Sequence, residues 1–286
     1  MKKRLALITW SGLPQGAESE RLMLPHLAAA GIETQIVDWR SAGLDFSQFD
    51  LIVLRSCWDY HLRTAEFIDW LQRVGQSTPV LNVINTVLWN HNKFYLREVE
   101  AMDIGIAPTI FVNHVEALGA EQATIRSWQR IVVKPAISAS AHNTRLMDGA
   151  PWSAEHELVR IMNGSFLVQQ FIPEIQDHGE ISFVYIDGEY SHAALKRPAV
   201  GDFRVQQEHG GSAELFHPDS ALLDQASEIA ATVAQVRDSL YCRIDAVARD
   251  GKLVLMELEL IEPELFLGLA AGAAERFAKA IIRKMR

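Results

Sequence analysis

Three acids near the end of the chain, Asp245, Glu257 and Glu259, have the types and spacing to hold a hard metal ion. They lie in RIDAVARDGKLVLMELELIEPELFL, which reads as a strand, a tight turn, a second strand and a further acidic run. A three-residue loop at Asp250-Gly251-Lys252 pairs Arg249 with Leu253 and sets Asp245 opposite Glu257. In that register Ile244, Ala246, Ala248, Val254, Met256 and Leu258 share an apolar face. Arg243, Asp245, Arg249, Glu257 and Glu259 share the other. A two-residue loop slips the pairing by one and mixes the faces, which disfavours it. Carboxylates that close repel unless protons or cations intervene. An all-oxygen set suits magnesium, whose shell is usually completed by waters and substrate phosphates. The competing reading is a solvated face neutralised by Arg243 and Arg249. Leu253 and Leu255 fall on the acidic face here, so that face is expected to be covered, and covered carboxylates need a partner.

Positive side chains recur upstream. Lys134 ends a strand and precedes Pro135 and the small-residue loop Ala136 to Ala141, which includes Ser138 and Ser140. Such a loop lets backbone amides approach phosphate oxygens, although small residues after Pro also make plain turns. Lys196 and Arg204 are the cations expected opposite a polyphosphate; surface ion pairing is the commoner use of such residues. The stretch Arg55-Ser56-Cys57-Trp58-Asp59-Tyr60 has the side chains to grip a small polar molecule. Arg55 would hold a carboxylate in a forked pair, Asp59 an amine, and Trp58 or Tyr60 would form a wall. Alternatively Trp58 and Tyr60 pack under a helix and Asp59 caps one. Cys57 reads as packing.

The elements that must position these groups follow from periodicity. Strands at Arg4 to Trp10, Glu33 to Asp38, Leu51 to Arg55 and Val80 to Asn82 alternate with helices at Glu18 to Ala30 and Thr64 to Val74. That alternation predicts a doubly wound α/β lobe, with ligands beyond the carboxyl ends of its strands. The lobe lacks a complete glycine fingerprint for dinucleotides. A helix from Asn92 to Met102, a strand at Thr109 to Val112, a helix near Val115 to Trp128 and strands at Arg130 to Lys134, Thr144 to Met147 and Phe166 to Ile172 predict an α+β lobe, with a helix over Pro151 to Met162. A third lobe carries strands near Glu180 to Ile186 and Glu189 to Leu195, joined at Asp187-Gly188, then a helix from Ser220 to Leu240 and the acidic hairpin. The domain boundaries expected are 1–90, 91–170 and 171–286.

At 286 residues the chain is long for one core. Its 27 basic and 36 acidic residues give a net charge of −9, which disfavours nucleic acid and anionic membranes as partners. No apolar run reaches the roughly 18 residues of a membrane span. Two cysteines, Cys57 and Cys242, make no disulfide framework, which fits the cytoplasm. The sequence leaves a homodimer open.

Taken in order, these pieces resemble the ATP-grasp superfamily over nearly the whole chain. The resemblance is carried by Lys93 in WNHNKFYL, Lys134 in VVKPAISAS, the strand VQQFIPEI, Arg204 in GDFRVQ, and Asp245, Glu257 and Glu259. Among relatives the chain is similar to glutathione synthetase-like and ribosomal-protein-modifying ligases. It is most similar to the O-ureido-serine cyclo-ligase (cycloserine synthetase) type, through RSCWDY, GEISFVYIDGEYSHAALK, GDFRVQQEHGG and MELELIEPELFL. The resemblance implies ATP and Mg2+ as cofactors and a small amino-acid-like substrate. Lys93 and Lys134 would contact the phosphates, with Lys134 also near the adenine. Gln169, Phe171 and Ile172 would line the adenine slot, and Glu180 would bind the ribose. Lys196 and Arg204 would steady the transferring phosphate, and the three acids would hold the metal. Glu259 stands where the family usually has asparagine, and Ser182 where close relatives often carry arginine. The activity implied is carboxylate or carbonyl-oxygen activation by ATP, followed by amine attack. The rivals are an ATP-binding module without turnover and a metal-dependent hydrolase.

Overall fold

A computed structural model describes residues 2–114, 118–149 and 164–286; the helix expected over 151–162 and the start of the one expected at 115 lie outside them. The first sheet holds β1 (Arg4–Thr9), β2 (Glu33–Asp38), β3 (Leu51–Leu54) and β4 (Val80–Leu81), all parallel, in the order β2-β1-β3-β4. Its central strands are apolar on both faces because both are covered. Phe67, Trp70 and Leu71 of the helix Thr64–Val74 pack on one side, and the helix Ala273–Lys284 on the other. The single helix expected from Glu18 to Ala30 is two, Glu18–Arg21 and Leu24–Ala29. Pro25 explains the break, since its ring would meet the carbonyl four residues back, that of Arg21.

The second sheet holds β5 (Thr109–Val112), β6 (Arg130–Pro135), β7 (Arg145–Asp148) and β8 (Phe166–Gln170), antiparallel in the order β5-β8-β6-β7. The third is a five-stranded antiparallel sheet, β11-β10-β9-β12-β13, formed by β9 (Glu180–Ile186), β10 (Glu189–Arg197), β11 (Ser212–Phe216), β12 (Tyr241–Arg249) and β13 (Lys252–Glu259). The first and third sheets share a core. Leu5, Leu7 and Val53 meet Val184, Ile186 and Tyr241 around Phe277 of the last helix, an element the sequence reading left out.

The acidic hairpin differs from its expected register in an instructive way. Its loop is the two-residue one, Asp250-Gly251, with both residues at positive φ (50° and 75°), and Arg249 pairs with Lys252. A β-bulge on β13 then absorbs one residue between Ala246↔Leu255 and Asp245↔Glu257, so the acids still face each other. The bulge reverses the faces of the residues between it and the turn. Leu253 and Leu255 pack with Ile244 in the main core, whereas Val254 and Met256 join Val247, Phe171 and Ile172 on the acidic side. Cover over the acids is therefore real, but other residues provide it.

β13 is the last strand of its sheet; the backbone of Gly105 and Ala107 bonds Leu255, and side chains serve the stretch beyond it. The Tyr95 hydroxyl accepts from Leu258 N (2.7 Å) and reaches Leu258 O (2.9 Å). Asn90 donates to Leu258 O (2.8 Å) and accepts from Leu260 N (2.9 Å). These four bonds hold the backbone on either side of Glu259.

Candidate active site

A cleft of about 250 Å³ opens between the second and third sheets. Its lining brings together Lys93, Lys134, Ser138, Ser140, Gln169, Phe171, Ile172, Glu180, Lys196, Arg204, Asp245, Glu257 and Glu259, with Trp58 and Tyr60 at one side. Strand direction explains the convergence. β6 delivers Lys134 at its end, β9 starts with Glu180, β10 carries Lys196, and the hairpin supplies the acids. Val247, Val254 and Met256 pack with Phe171 and Ile172 into a small apolar cluster beside these charges, a surface suited to a planar ring.

Charges in the cleft are arranged as a network. Arg243 forks Asp245, with Nε at 2.9 Å and Nη2 at 2.8 Å, and also bonds Glu259. Lys196 donates to Asp245 (2.8 Å) and pairs with Glu180. Ser182, at the position where an arginine was the family's expectation, donates its hydroxyl to Asp245 at 2.6 Å. Lys93 pairs with Glu257 and donates to Ser138 O at 2.9 Å. Burial works against the Asp245 carboxylate, yet Arg243 and Lys196 overcome it and hold the group well below the usual range. Burial pushes Glu259 up to about 7, and the neighbouring acids add to that against Arg243. Glu262 is pushed up to about 8 by burial and then by Glu259. Burial, with Lys93 nearby, lowers Lys134 to about 8, although Glu257 opposes the shift.

Among the described residues no three His, Cys, Asp or Glu side chains are gathered as a ligand set, and Asp245, Glu257 and Glu259 each pair with a cation instead. The donor set nonetheless fits a hard divalent ion. Asp245, Glu257 and Glu259 line one cleft and offer only oxygen donors, the set that suits such an ion.

Of the remaining expected residues, Gln169 spends its amide on Thr109 Oγ1 (2.8 Å) and Phe171 lies under Arg130, whose guanidinium carbon is 4.6 Å from the ring centre. Arg204 lines the cleft while forking its near neighbour Asp202, which it holds well below the usual carboxylate range. The loop after Lys134 puts Ser140 and Ala141 at φ of 50° and 52°, a left-handed conformation tolerable where side chains are small.

The Arg55–Tyr60 stretch departs from expectation. Arg55 does not reach the cleft: it is 1% exposed, paired with Glu20 at 3.3 Å and bonded to Pro263 O at 2.8 Å, over the rings of Tyr241 and Phe277. Ser56 is wholly buried, with its hydroxyl on Glu20. Asp59 accepts from the Trp39 indole (2.8 Å) and pairs with Arg40 (3.2 Å), and it lines a second pocket together with His61, His142 and Arg204. The expected substrate grip by Arg55, Ser56 and Asp59 is thus replaced by internal pairing, and Cys57 packs in the core as expected. Asp59→Asn should accordingly cost about 1 kcal/mol of stability and leave the substrate KM within a few-fold of wild type. Steady-state kinetics showing a KM rise of about tenfold or more would restore Asp59 to the substrate. Arg243, which forks Asp245 in the cleft, is not among the site residues expected from the sequence; its two-residue spacing from Asp245 on one strand is the signal that points to it.

A family model of the D-cycloserine synthetase DcsG N-terminal domain matches residues 5–82, and one of the RimK-like ATP-grasp domain matches residues 129–264. The cycloserine biosynthesis protein DcsG of Streptomyces lavendulae is 30% identical over 280 residues, covering 92% of this chain and 93% of that protein. The glutathione synthetase of Prochlorococcus marinus (strain MIT 9313) is 25% identical over 272 residues, covering 91% and 82%. The crystal structure of D-cycloserine synthetase DcsG superposes with a TM-score of 0.84 at 25% identity, covering 99% of this chain and 100% of that one. D-alanine–D-alanine ligase from Bacillus anthracis shares the fold, with a TM-score of 0.72 at 15% identity over 99% and 97% of the two chains.

Proposed function

Because this chain belongs to the ATP-grasp superfamily, in the family of cycloserine synthetase DcsG, we propose that its cleft joins carbon to nitrogen on a small amino-acid-like substrate, with ATP and magnesium. The enzyme is an ATP-binding carbon–nitrogen ligase. The observation that carries the finer reading is the meeting of Lys93, Lys134, Lys196 and Arg243 with Asp245, Glu257 and Glu259 in one cleft.

In this reading Phe171, Ile172 and Gln169 flank the base, Glu180 takes the ribose, and Lys93 and Lys134 hold the phosphates beneath the Ser138–Ser140 loop. Asp245, Glu257 and Glu259 would hold magnesium, which supplies charge neutralisation for the triphosphate when bound. Lys93 and Lys196, which pair with Glu257, Glu180 and Asp245 in the ligand-free chain, would turn to phosphate oxygens, which would leave Glu257 and Asp245 available to hold the ion. Lys196, Arg204 and Arg243 stabilise charge on the transferring phosphoryl group, which is positioning and electrostatics rather than nucleophilic catalysis by the protein. The γ-phosphoryl group passes to a carboxylate or carbonyl oxygen of the substrate and ADP departs. An amine then displaces phosphate, within the same molecule for ring closure or from a second one for an amide. Residues 1–90 would serve the substrate, and residues 91–170 and 171–286 would enclose the nucleotide. The working compartment proposed is the cytoplasm, in keeping with two buried free thiols.

The test is release of ADP and phosphate from Mg-ATP across a panel of small amino acids and amines. Substrate-dependent release supports the ligase; tight ATP binding with no product for any substrate counts against turnover. A pH profile sharpens it. Lys134 titrates near pH 8 in the ligand-free protein, and its charged form is the one that holds phosphate. ATP affinity should therefore be full below pH 8 and decline above it, by up to about tenfold per pH unit, until the pKa of the bound form is reached. Lys134→Arg, charged throughout, should flatten the profile between pH 7 and 9.5; a wild-type profile already flat in calorimetry would remove Lys134 from the phosphates.

A further inference from the structure

Among the described residues, nearly every charged side chain lining the cleft has a partner. Asp245, Glu257, Glu259 and Glu180 each face a lysine or arginine, and Arg204 faces Asp202. Glu264 accepts from the Ser19 hydroxyl at 2.7 Å and from Phe266 N at 2.6 Å. Apart from the exposed Glu208, the charges with neither ion pair nor hydrogen bond are Lys134 and Glu262. Nucleotide phosphates answer Lys134 in the reading above. Nothing in that reading answers Glu262.

The surroundings of Glu262 fix its backbone and leave its carboxylate uncommitted. The Trp58 indole N–H donates to the Glu262 carbonyl at 3.0 Å, which ties that ring to the turn. Arg55 holds the next carbonyl, that of Pro263, at 2.8 Å, and Arg243 holds the carbonyl of Glu264 at 3.0 Å. Three consecutive carbonyls are therefore pinned by side chains from β12 and the loop after β3. Trp58, Tyr60 and Phe266 line the cleft alongside. Lys93 and Arg243 pull on the half-covered Glu262 carboxyl but neither bonds it, so burial holds it toward its neutral form and a cation bonded to it would restore its charge. A fixed carboxylate beside an aromatic ring is, however, a receptor for an organic cation.

We infer that Glu262, beside Trp58, receives the ammonium group of the small substrate and selects for molecules that carry a free primary amine. The inference rests on the ligase reading and specifies its substrate class. It also explains why Asp59 is free to pair with Arg40: the amine-binding acid comes from the turn after β13.

The test uses the full chain in saturating Mg-ADP, with thermal stabilisation measured against D-alanine, D-serine and D-cycloserine and against the N-acetyl form of each. The free amines should stabilise the wild type and the acetylated forms should not. Glu262→Gln should move the midpoint for the free amines to about 10- to 100-fold higher concentration, and Glu262→Asp should recover part of that loss. Equal responses to free and acetylated forms, an unchanged midpoint in Glu262→Gln, or no stabilisation by any amine overturns the inference. So does a variant whose only change is a higher magnesium requirement, since Glu262 would then serve the metal. A parallel Mg-ATP titration of the wild type separates the two levels. If ATP does not bind, the ligase reading itself fails; if ATP binds and the amines are not discriminated, only the Glu262 assignment falls.

Discussion

Glu257→Gln is expected to lower Mg-ATP-dependent product formation by about 100- to 1,000-fold while the protein remains folded. The change keeps the shape of the side chain and removes its charge. In the resting protein that charge faces Lys93, which keeps a second bond to Ser138 O at 2.9 Å. The Glu257 side chain is 27% exposed, so water can replace part of the lost pairing and the stability loss should stay near the low end of about 1–3 kcal/mol. The two effects therefore separate. Circular dichroism and thermal unfolding should report a folded variant, and ADP release should be nearly absent at any magnesium concentration that saturates the wild type. Undiminished turnover would remove Glu257 from the metal set, and with it the premise that the hairpin acids serve the triphosphate.

That residue also shows what was readable in the sequence. Its pairing with Asp245 follows from polarity alone, and the structure has it, but through two departures that cancel: a two-residue turn and a one-residue bulge. Turn propensity at Asp250-Gly251 and burial preference each constrained only one end of the hairpin. The bulge between them has no strong signature, so Leu253, Val254, Leu255 and Met256 went to the wrong faces. Elements with clean periodicity, such as the helix Thr64–Val74 and the strand Glu180–Ile186, were legible to the residue. Lys134, Lys196 and Arg204 were legible as candidates because each sits near a strand end or in a loop, whereas Lys93 came only with the family resemblance and Arg243, inside a strand, did not stand out. What sequence could not show is whom each charge faces. On paper Arg55 reads as a grip for a carboxylate, Asp59 as one for an amine, and Arg243 as a neutraliser of a solvated face. Their partners, Glu20, Arg40 and Asp245, come from elsewhere in the chain or from a neighbour whose orientation only the sheet decides.

The sharpest check on that reassignment is Arg55→Met, which should lower stability by about 3 kcal/mol or more and depress the Tm by roughly 10 °C. Removing the guanidinium strands Glu20, which is 4% exposed, and leaves the Pro263 carbonyl without its donor. Burial already raises the Glu20 carboxyl against the pull of Arg55 and Ser56, so in the variant it can take up a proton, which limits the loss. Glu20→Gln added to Arg55→Met should then recover part of the deficit, a coupling of about 0.5–3 kcal/mol by double-mutant cycle. A cleft-facing arginine that waits for a substrate carboxylate behaves in the opposite way. Its removal leaves the ligand-free protein as stable as before, raises KM, and shows no coupling to Glu20. Unfolding and kinetics on the wild type, the two single variants and the double variant decide between these patterns, and a Tm unchanged in Arg55→Met would refute the internal pairing. The structural outcome has a functional corollary, because the carbonyl that Arg55 holds lies between Glu262 and Glu264. Where the variant is still folded, at low temperature, the defect should therefore fall on the response to amines before it falls on ATP affinity.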